Sequence, residues 1–309
     1  MVHIKKVKNI FDKNPPSKFS NEWKTSKYMF KQVGLHAIIG CRGSGKSYIC
    51  SKMLRAGNAE NLYDRIFFIT PSYLSNKKQF DDLGVDAEDV YEPEVDAIDK
   101  VIEQVETERD EWEEYLSELE IYNKMTGKGT NFDDDELMNV ELLLNGEEMI
   151  KPQWKRKIVR RPQCVLILDD IIGSPCMRQA SGINKIATLN RHIAPLQEGG
   201  ALGLSVILLA QTYATTSGHG ISRLIREQLT TLTLFSNKMD RQFEKIVEET
   251  GGTLEESELR EAYKHSIKNA HDNLTIDFNP KCPTMQYRRN LNEFIIFDRA
   301  KKECKCKKK

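Results

Sequence analysis

The first chemistry in the chain is carried by eight consecutive residues, Gly40-Cys41-Arg42-Gly43-Ser44-Gly45-Lys46-Ser47. Glycines at this spacing let the main chain wrap an anion with its N–H groups. The lysine after the last glycine reaches terminal phosphates, and the following serine hydroxyl can ligate a divalent cation. This is a Walker A loop, and it suits the phosphates of a nucleoside triphosphate with Mg²⁺. A second set is Asp169-Asp170, closing the apolar run Cys164-Val165-Leu166-Ile167-Leu168. Carboxylates at the end of a buried strand have the form of a Walker B motif, in which the first supports Mg²⁺ and the second polarises water. Third, Gln211-Thr212 ends the run 204–210, and a glutamine at the carboxyl end of a strand lies where open α/β sheets hold their ligands. It can sense a γ-phosphate.

Elements must hold these groups in place. The run 35–39 before the Walker A loop reads as a buried strand and 48–54 after it as a helix, which sets the phosphates at a helix N-terminus. Residues 65–70, closed by Pro71-Ser72, read as a second buried parallel strand, with further strands at 164–169, 204–210, 232–235 and 292–298. Helices are expected over 242–250, ended by Gly251-Gly252, and over 255–269. Strands alternating with helices give an α/β fold with a mostly parallel sheet flanked by helices. Over 97–123, Ile98, Val101, Ile102, Val105, Trp112, Tyr115, Leu116, Leu119 and Tyr122 recur at helical spacing with acidic residues on the other faces. This long helix either packs on its own domain with a solvated acidic face or reaches a neighbouring subunit. A loop at 126–135 and a weakly patterned segment 136–150 follow, and 94–161 reads as a largely helical acidic insertion between core elements.

The 309 residues carry 46 basic and 46 acidic side chains, and this balance hides segregation. Residues 86–120 hold sixteen acidic residues against Lys100 and Arg109, and 299–309 hold seven basic ones against Glu303. The chain divides into a basic N-terminal arm (1–31), a P-loop domain (32–300) with its insertion at about 94–161, and a basic C-terminal tail (301–309). Lys155-Arg156-Lys157 with Arg160-Arg161 either neutralise nucleic-acid phosphates, form a charged strand edge or pair with the acidic helix. Seven cysteines at irregular spacings do not make a secreted disulfide framework and fit a reducing, intracellular setting. No apolar run approaches the length of a membrane span, and no signal peptide is expected.

Two function classes compete for the Walker A loop. Asn237-Lys238-Met239-Asp240 after an apolar strand imitates the guanine-reading Asn-Lys-x-Asp of GTPases, and Asp170-Ile171-Ile172-Gly173 imitates their Asp-x-x-Gly. The other class is a motor, with a nucleotide-binding scaffold lacking turnover as a third possibility. Taken in order, Gly40 to Ser47, Leu166 to Asp170, Asn190-Arg191-His192, Val206 to Thr212 and Leu224-Ile225-Arg226 resemble the genome-packaging ATPases of poxviruses, other large double-stranded DNA viruses and virophages, in the FtsK/HerA superfamily.

The resemblance implies a RecA-like P-loop core with the Walker B strand beside the P-loop strand, assembled as a homo-oligomeric ring around double-stranded DNA, with ATP between subunits. It implies that Gly40, Cys41, Arg42, Gly43, Ser44, Gly45, Lys46 and Ser47 bind nucleotide, that Ser47 and Asp169 hold Mg²⁺, that Asp170 orients or deprotonates water and that Gln211 senses the γ-phosphate. Arg191 or Arg226 would act in trans on charge developing in the neighbouring site, unless it forms an internal salt bridge. Capsid or portal-vertex proteins would be partners, in the cytoplasm of an infected host cell, at the viral factory, or on the virion. Many members of the wider superfamily place Glu where this chain has Asp170, so the shorter side chain must sit closer to the water.

Overall fold

Strands buried on both faces belong in the middle of a sheet, and every residue of Leu35–Ile39 and Leu204–Ala210 is buried. The computed structural model describes residues 26, 28–73, 77–78, 81–126, 150–177, 182–214, 220–236 and 240–303. Within them a nine-stranded sheet contains β1 Leu35–Ile39, β2 Arg65–Ile69, β3 Val90–Tyr91, β4 Cys164–Asp169, β5 Leu204–Ala210, β6 Thr231–Phe235, β7 Asn273–Asp277, β8 Tyr287–Arg289 and β9 Glu293–Ile295. Their order in space is β3-β2-β4-β5-β1-β6-β7-β8-β9. The strands from β3 to β6 pair in parallel, and β7, β8 and β9 continue antiparallel.

Helices are α1 Lys46–Ala59, α2 Ala97–Met125, α3 Ile183–Leu189, α4 Arg223–Glu227, α5 Asp240–Thr250, α6 Glu256–Ser266 and α7 Asp298–Glu303. The alternation of side chains along the strands sorts the core into two layers. Ile38, Phe68, Val165, Ile167, Ile207 and Leu209 form one cluster with Ile49, Cys50 and Leu54 of α1. Ala37, Ile39, Phe67, Leu166, Leu168 and Leu208 face the other way, in one cluster with apolar residues of α2 to α6. The α/β class and the flanked, mostly parallel sheet are as the sequence predicts.

The strand order corrects one expectation. The Walker B strand β4 does not lie beside the P-loop strand β1, because β5 intervenes, pairing Asp169↔Leu209 on one side and Ile39↔Ala210 on the other. Seven consecutive buried residues, six of them apolar, make β5 the strand with most to gain from a central position, and it takes that position. As a result Gln211, the residue after Ala210, emerges between the two phosphate-handling strands. A second correction concerns the last strand, expected over 292–298. Only Glu293–Ile295 pairs, Ile296 is exposed, and Phe297 turns its ring edge-on to buried Tyr287 at 5.7 Å. The chain then starts α7 at Asp298, which Arg299 ties to Glu258 at 3.0 Å; residues 304–309 of the basic tail lie outside the described residues.

The acidic helix packs on its own domain. Ala97, Ile98, Val101, Ile102, Val105, Trp112 and Tyr115 of α2 lie in the same buried cluster as β2 and β4, so this stretch is a crossover helix of the core. Trp154, from the segment leading to β4, packs edge-on to Trp112 at 5.0 Å. The expected loop beyond residue 126 and the weakly patterned segment after it, 127–149, lie outside the described residues, as do 1–25 and 27 of the basic arm.

Four of the five basic residues in the cluster before β4 meet carboxylates among the described residues. Buried Glu108 of α2 receives Arg156 at 2.6 Å and Lys155 at 3.2 Å, Arg160 meets Asp64 at 3.0 Å, and Arg161 pairs with Glu198. Lys155 and Arg156 thus pair with the acidic helix, Arg160 and Arg161 pair with carboxylates outside it, and Lys157 is exposed.

Candidate nucleotide site

The Walker A loop leaves β1 at its carboxyl end and returns as α1, with the sharp turn made by Gly43 (φ 78°) and Gly45 (φ 106°). Both values lie in the left-handed region that glycine enters without steric cost. Gly40 is required for a different reason, since a Cβ there would come within 2.5 Å of Ser44 Oγ and 3.0 Å of the Phe235 side chain. Phe235, at the end of β6, is the apolar floor on which the loop rests. Helix α1 begins with no side-chain cap and no acidic residue in its first turn. Its leading N–H groups and positive dipole end therefore suit an anion.

Lys46 folds its ammonium back over the loop, donating to the carbonyls of Gly40 at 2.8 Å and Cys41 at 3.1 Å. Burial lowers its pKa, and the carboxylates of Asp169 and Asp170 pull the other way. Burial also raises the pKa of Asp169, followed by repulsion from Asp170, with Lys46 opposing both. The three charges thus share one partly dry site, in which two carboxylates face a single ammonium and a further cation would offset the excess negative charge. Ser44 Oγ is buried without a hydrogen-bond partner among the described residues, a polar atom turned into the loop.

These features fit a triphosphate and Mg²⁺. Among the described residues no three His, Cys, Asp or Glu side chains gather into an all-protein metal cage, and Mg²⁺ characteristically uses one or two protein ligands beside substrate phosphates. Ser47 and Asp169 are the residues that would hold it. When bound, Mg²⁺ would neutralise charge on the phosphate oxygens.

Asp170, just past β4, is exposed and has φ 52°, a conformation uncommon outside glycine but tolerated by Asp and Asn. Its Oδ1 accepts a hydrogen bond from Gln211 Nε2 at 3.1 Å. The backbone turn swings this carboxylate off the strand axis toward the residue at the tip of β5. Lys46, Asp169, Asp170 and Gln211 are therefore one constellation, built from the ends of β4 and β5 and the start of α1. The fold is that of a P-loop NTPase.

No protein-family model matches the chain, and no curated protein matches it. Solved structures of similar fold include the DNA-packaging ATPase B204 from Sulfolobus Turreted Icosahedral Virus, 13% identical, covering 83% of this chain and 96% of that one, with a TM-score of 0.42. The genome packaging NTPase B204 from Sulfolobus turreted icosahedral virus 2, in complex with ATP-gammaS, is 13% identical over the same shares with a TM-score of 0.43. The pCW3 conjugation coupling protein TcpA is 14% identical, covering 87% of this chain and 62% of that one, with a TM-score of 0.40.

The two arginines are not at this constellation. Arg226 of α4 is engaged within the chain: it forms a two-pronged ion pair with Glu249 at 2.9 and 2.8 Å, and its guanidinium lies 5.2 Å from the centroid of the Tyr213 ring. Arg191 follows Asn190, whose buried amide donates to the carbonyls of Val33 and Leu204 at 3.1 and 3.2 Å. Those carbonyls lie at the amino ends of β1 and β5, so Arg191 sits, exposed, near the opposite end of the sheet from the Walker A loop of its own chain. Of the GTPase-like Asn237-Lys238-Met239-Asp240, the first three lie outside the described residues and Asp240 opens α5.

Sequence reasoning missed two residues beside the loop, Phe235 as its floor and His271, whose Nδ1 lies 3.0 Å from the Ser44 carbonyl oxygen. His271 is 227 positions from Ser44 and belongs to no spaced motif, so nothing in the sequence announces the contact.

Proposed function

We propose that this chain is an ATP-driven translocase of double-stranded DNA that packages a viral genome into a capsid. The observation that carries the reading is the bond from Gln211 to Asp170 next to Lys46, made possible by β5 lying between the Walker strands. A glutamine held against the water-activating carboxylate can report the presence or loss of a γ-phosphate and move that carboxylate with it. Hydrolysis is thereby tied to a change in β5 and the loop after it, which is what a motor requires and a storage site does not.

In this reading Gly40 to Ser47 bind the phosphates of ATP, Ser47 and Asp169 hold Mg²⁺, Asp170 orients or deprotonates the attacking water and Gln211 senses the γ-phosphate. Subunits assemble as a homo-oligomeric ring around duplex DNA and dock on capsid or portal-vertex proteins, in the host cytoplasm at the viral factory or on the virion. Arg191, exposed and with no ion pair to a described residue, is the candidate for reaching a neighbour's phosphates. Arg226 would first have to leave Glu249.

ATP hydrolysis measured with and without duplex DNA at low salt tests the reading. Stimulation by duplex DNA that declines as salt rises, and that Lys46→Ala abolishes, is the expected result. No stimulation by any duplex would overturn it, and tight GDP binding lost on Asp240→Asn, with little ATP affinity, would put a GTPase in its place.

A further inference from the structure

We propose that His271 is a positioning residue for the nucleotide site, holding the Walker A loop in its phosphate-binding form from the C-terminal antiparallel strands. The inference rests on the ATP-binding reading above and goes beyond it by making the β6-to-β9 side of the sheet a determinant of phosphate affinity.

His271 Nδ1 lies 3.0 Å from the carbonyl oxygen of Ser44, and a carbonyl oxygen can only accept, so Nδ1 carries the proton and donates. The Ser44 carbonyl and the Gly45 N–H belong to the same planar trans peptide, in which C=O and N–H point in opposite directions. Pulling the oxygen toward His271 therefore turns the Gly45 N–H away from the C-terminal strands and into the turn that the Walker A residues enclose. Gly45, at φ 106°, has no Cβ to fix its own orientation. An external hold on this peptide supplies what the loop lacks, and His271 Nδ1 lies 3.7 Å from where a Gly45 Cβ would stand.

The histidine is itself anchored. The next residue, Asp272, is buried and accepts from the Asn269 backbone N–H at 3.0 Å, Asn290 Nδ2 at 2.7 Å and Arg289 Nη2 at 3.0 Å. Asn290 also receives the Asn273 N–H on its Oδ1 at 3.0 Å. The same Asn290 offers its backbone carbonyl to Lys52 of α1 at 3.3 Å. The turn after α6 and the turn between β8 and β9 thus grip the loop and its helix at two points, Ser44 and Lys52. Asn290 and Leu291 hold φ of 51° and 67°, so this second turn has a conformation of its own that its hydrogen bonds maintain.

The experiment measures binding of ATP and of inorganic tripolyphosphate, which has no base or sugar, to the full chain and to His271→Ala and His271→Asn. An asparagine places its Nδ2 close to where Nδ1 of the histidine stands and can still donate. The expected result is that His271→Ala weakens both ligands by the same factor, about five-fold, as loss of one hydrogen bond implies, while His271→Asn stays within about two-fold of wild type. Without ligand all three should unfold cooperatively with midpoints within about 4 °C of one another, because the side chain is exposed. Unchanged affinity in His271→Ala, a loss confined to ATP, or an Asn variant as weak as the Ala variant would each overturn the proposal. If wild type binds neither ligand better than Lys46→Ala does, the ATP-binding reading itself fails and the proposal falls with it.

Discussion

Replacing Asp170 separates its chemistry from its backbone. The residue combines φ 52° with a carboxylate that accepts from Gln211 at 3.1 Å. Asparagine adopts this conformation as readily as aspartate and keeps an oxygen for Gln211, so Asp170→Asn should leave stability within about 0.5 kcal/mol of wild type. What it removes is the negative charge that, in the proposed mechanism, would orient and deprotonate water. A positioned general base is worth about 10²- to 10⁴-fold, so kcat should fall by that factor, about 3 to 5 kcal/mol on the barrier, with the affinity for ATP nearly unchanged. Alanine removes the same charge and also pays for the left-handed backbone, so Asp170→Ala should lose about 1–2 kcal/mol of stability in addition, whereas Asp170→Gly should not. Phosphate release at saturating ATP and Mg²⁺, equilibrium binding of a non-hydrolysable ATP analogue and urea unfolding give the three quantities. An Asp170→Asn variant that keeps kcat within about three-fold of wild type would refute Asp170 as the water-activating carboxylate.

Other parts of the structure make equally definite predictions. Burial, helped by the charge of Arg288, lowers the pKa of His36 from 6.5 to about 3, so the ring is neutral in the fold and charges on unfolding below pH 6.5. Its stabilising contribution is present above pH 6.5 and is lost as the pH falls toward 3; between pH 8 and pH 5 linkage gives a loss of about 2 kcal/mol, which urea midpoints should show in wild type and not in His36→Gln. Arg156→Ala removes one cation from buried Glu108 while Lys155 and Arg65 remain at 3.2 and 3.5 Å, so stability should fall by about 3 kcal/mol at most with DNA affinity unchanged; an affinity that fell with stability intact would return the basic cluster to the DNA surface. Arg226→Ala and Glu249→Ala should destabilise the fold alike, whereas Arg191→Ala should lower ATP turnover with no change in unfolding; loss of turnover in Arg226→Ala with stability unchanged would reverse the assignment.

Much of this architecture was legible because its determinants are local. Glycine, lysine and serine at Walker A spacing specify a loop whatever lies around them, and β4 and β5 are buried apolar runs that end at Asp169 and Ala210 as the sequence predicts. What stayed hidden depends on partners distant in the chain. Strand β7 reads Asn-Leu-Thr-Ile-Asp, with polar residues at alternate positions, yet it is buried throughout. Thr275 Oγ1 meets Thr233 Oγ1 at 2.8 Å and Thr233 meets His36 Nε2 at 2.9 Å, so hydroxyls and an imidazole satisfy one another across three strands. No window of β7 alone reveals that. The place of β5 between the Walker strands is likewise a property of the assembled sheet, and the pairing of Arg226 with Glu249 spans 23 residues and two helices. The hold of His271 on Ser44 arises in the same way.

The measurement that tests the central claim most directly is displacement of a third strand annealed to duplex DNA. A translocating ring strips a triplex-forming oligonucleotide from the duplex as it advances. The account predicts ATP-dependent release by the wild-type chain, none with Lys46→Ala or with a non-hydrolysable analogue, and slow release with Asp170→Asn in proportion to its residual turnover. Hydrolysis of ATP stimulated by duplex DNA, with the third strand left in place under every condition, would contradict it.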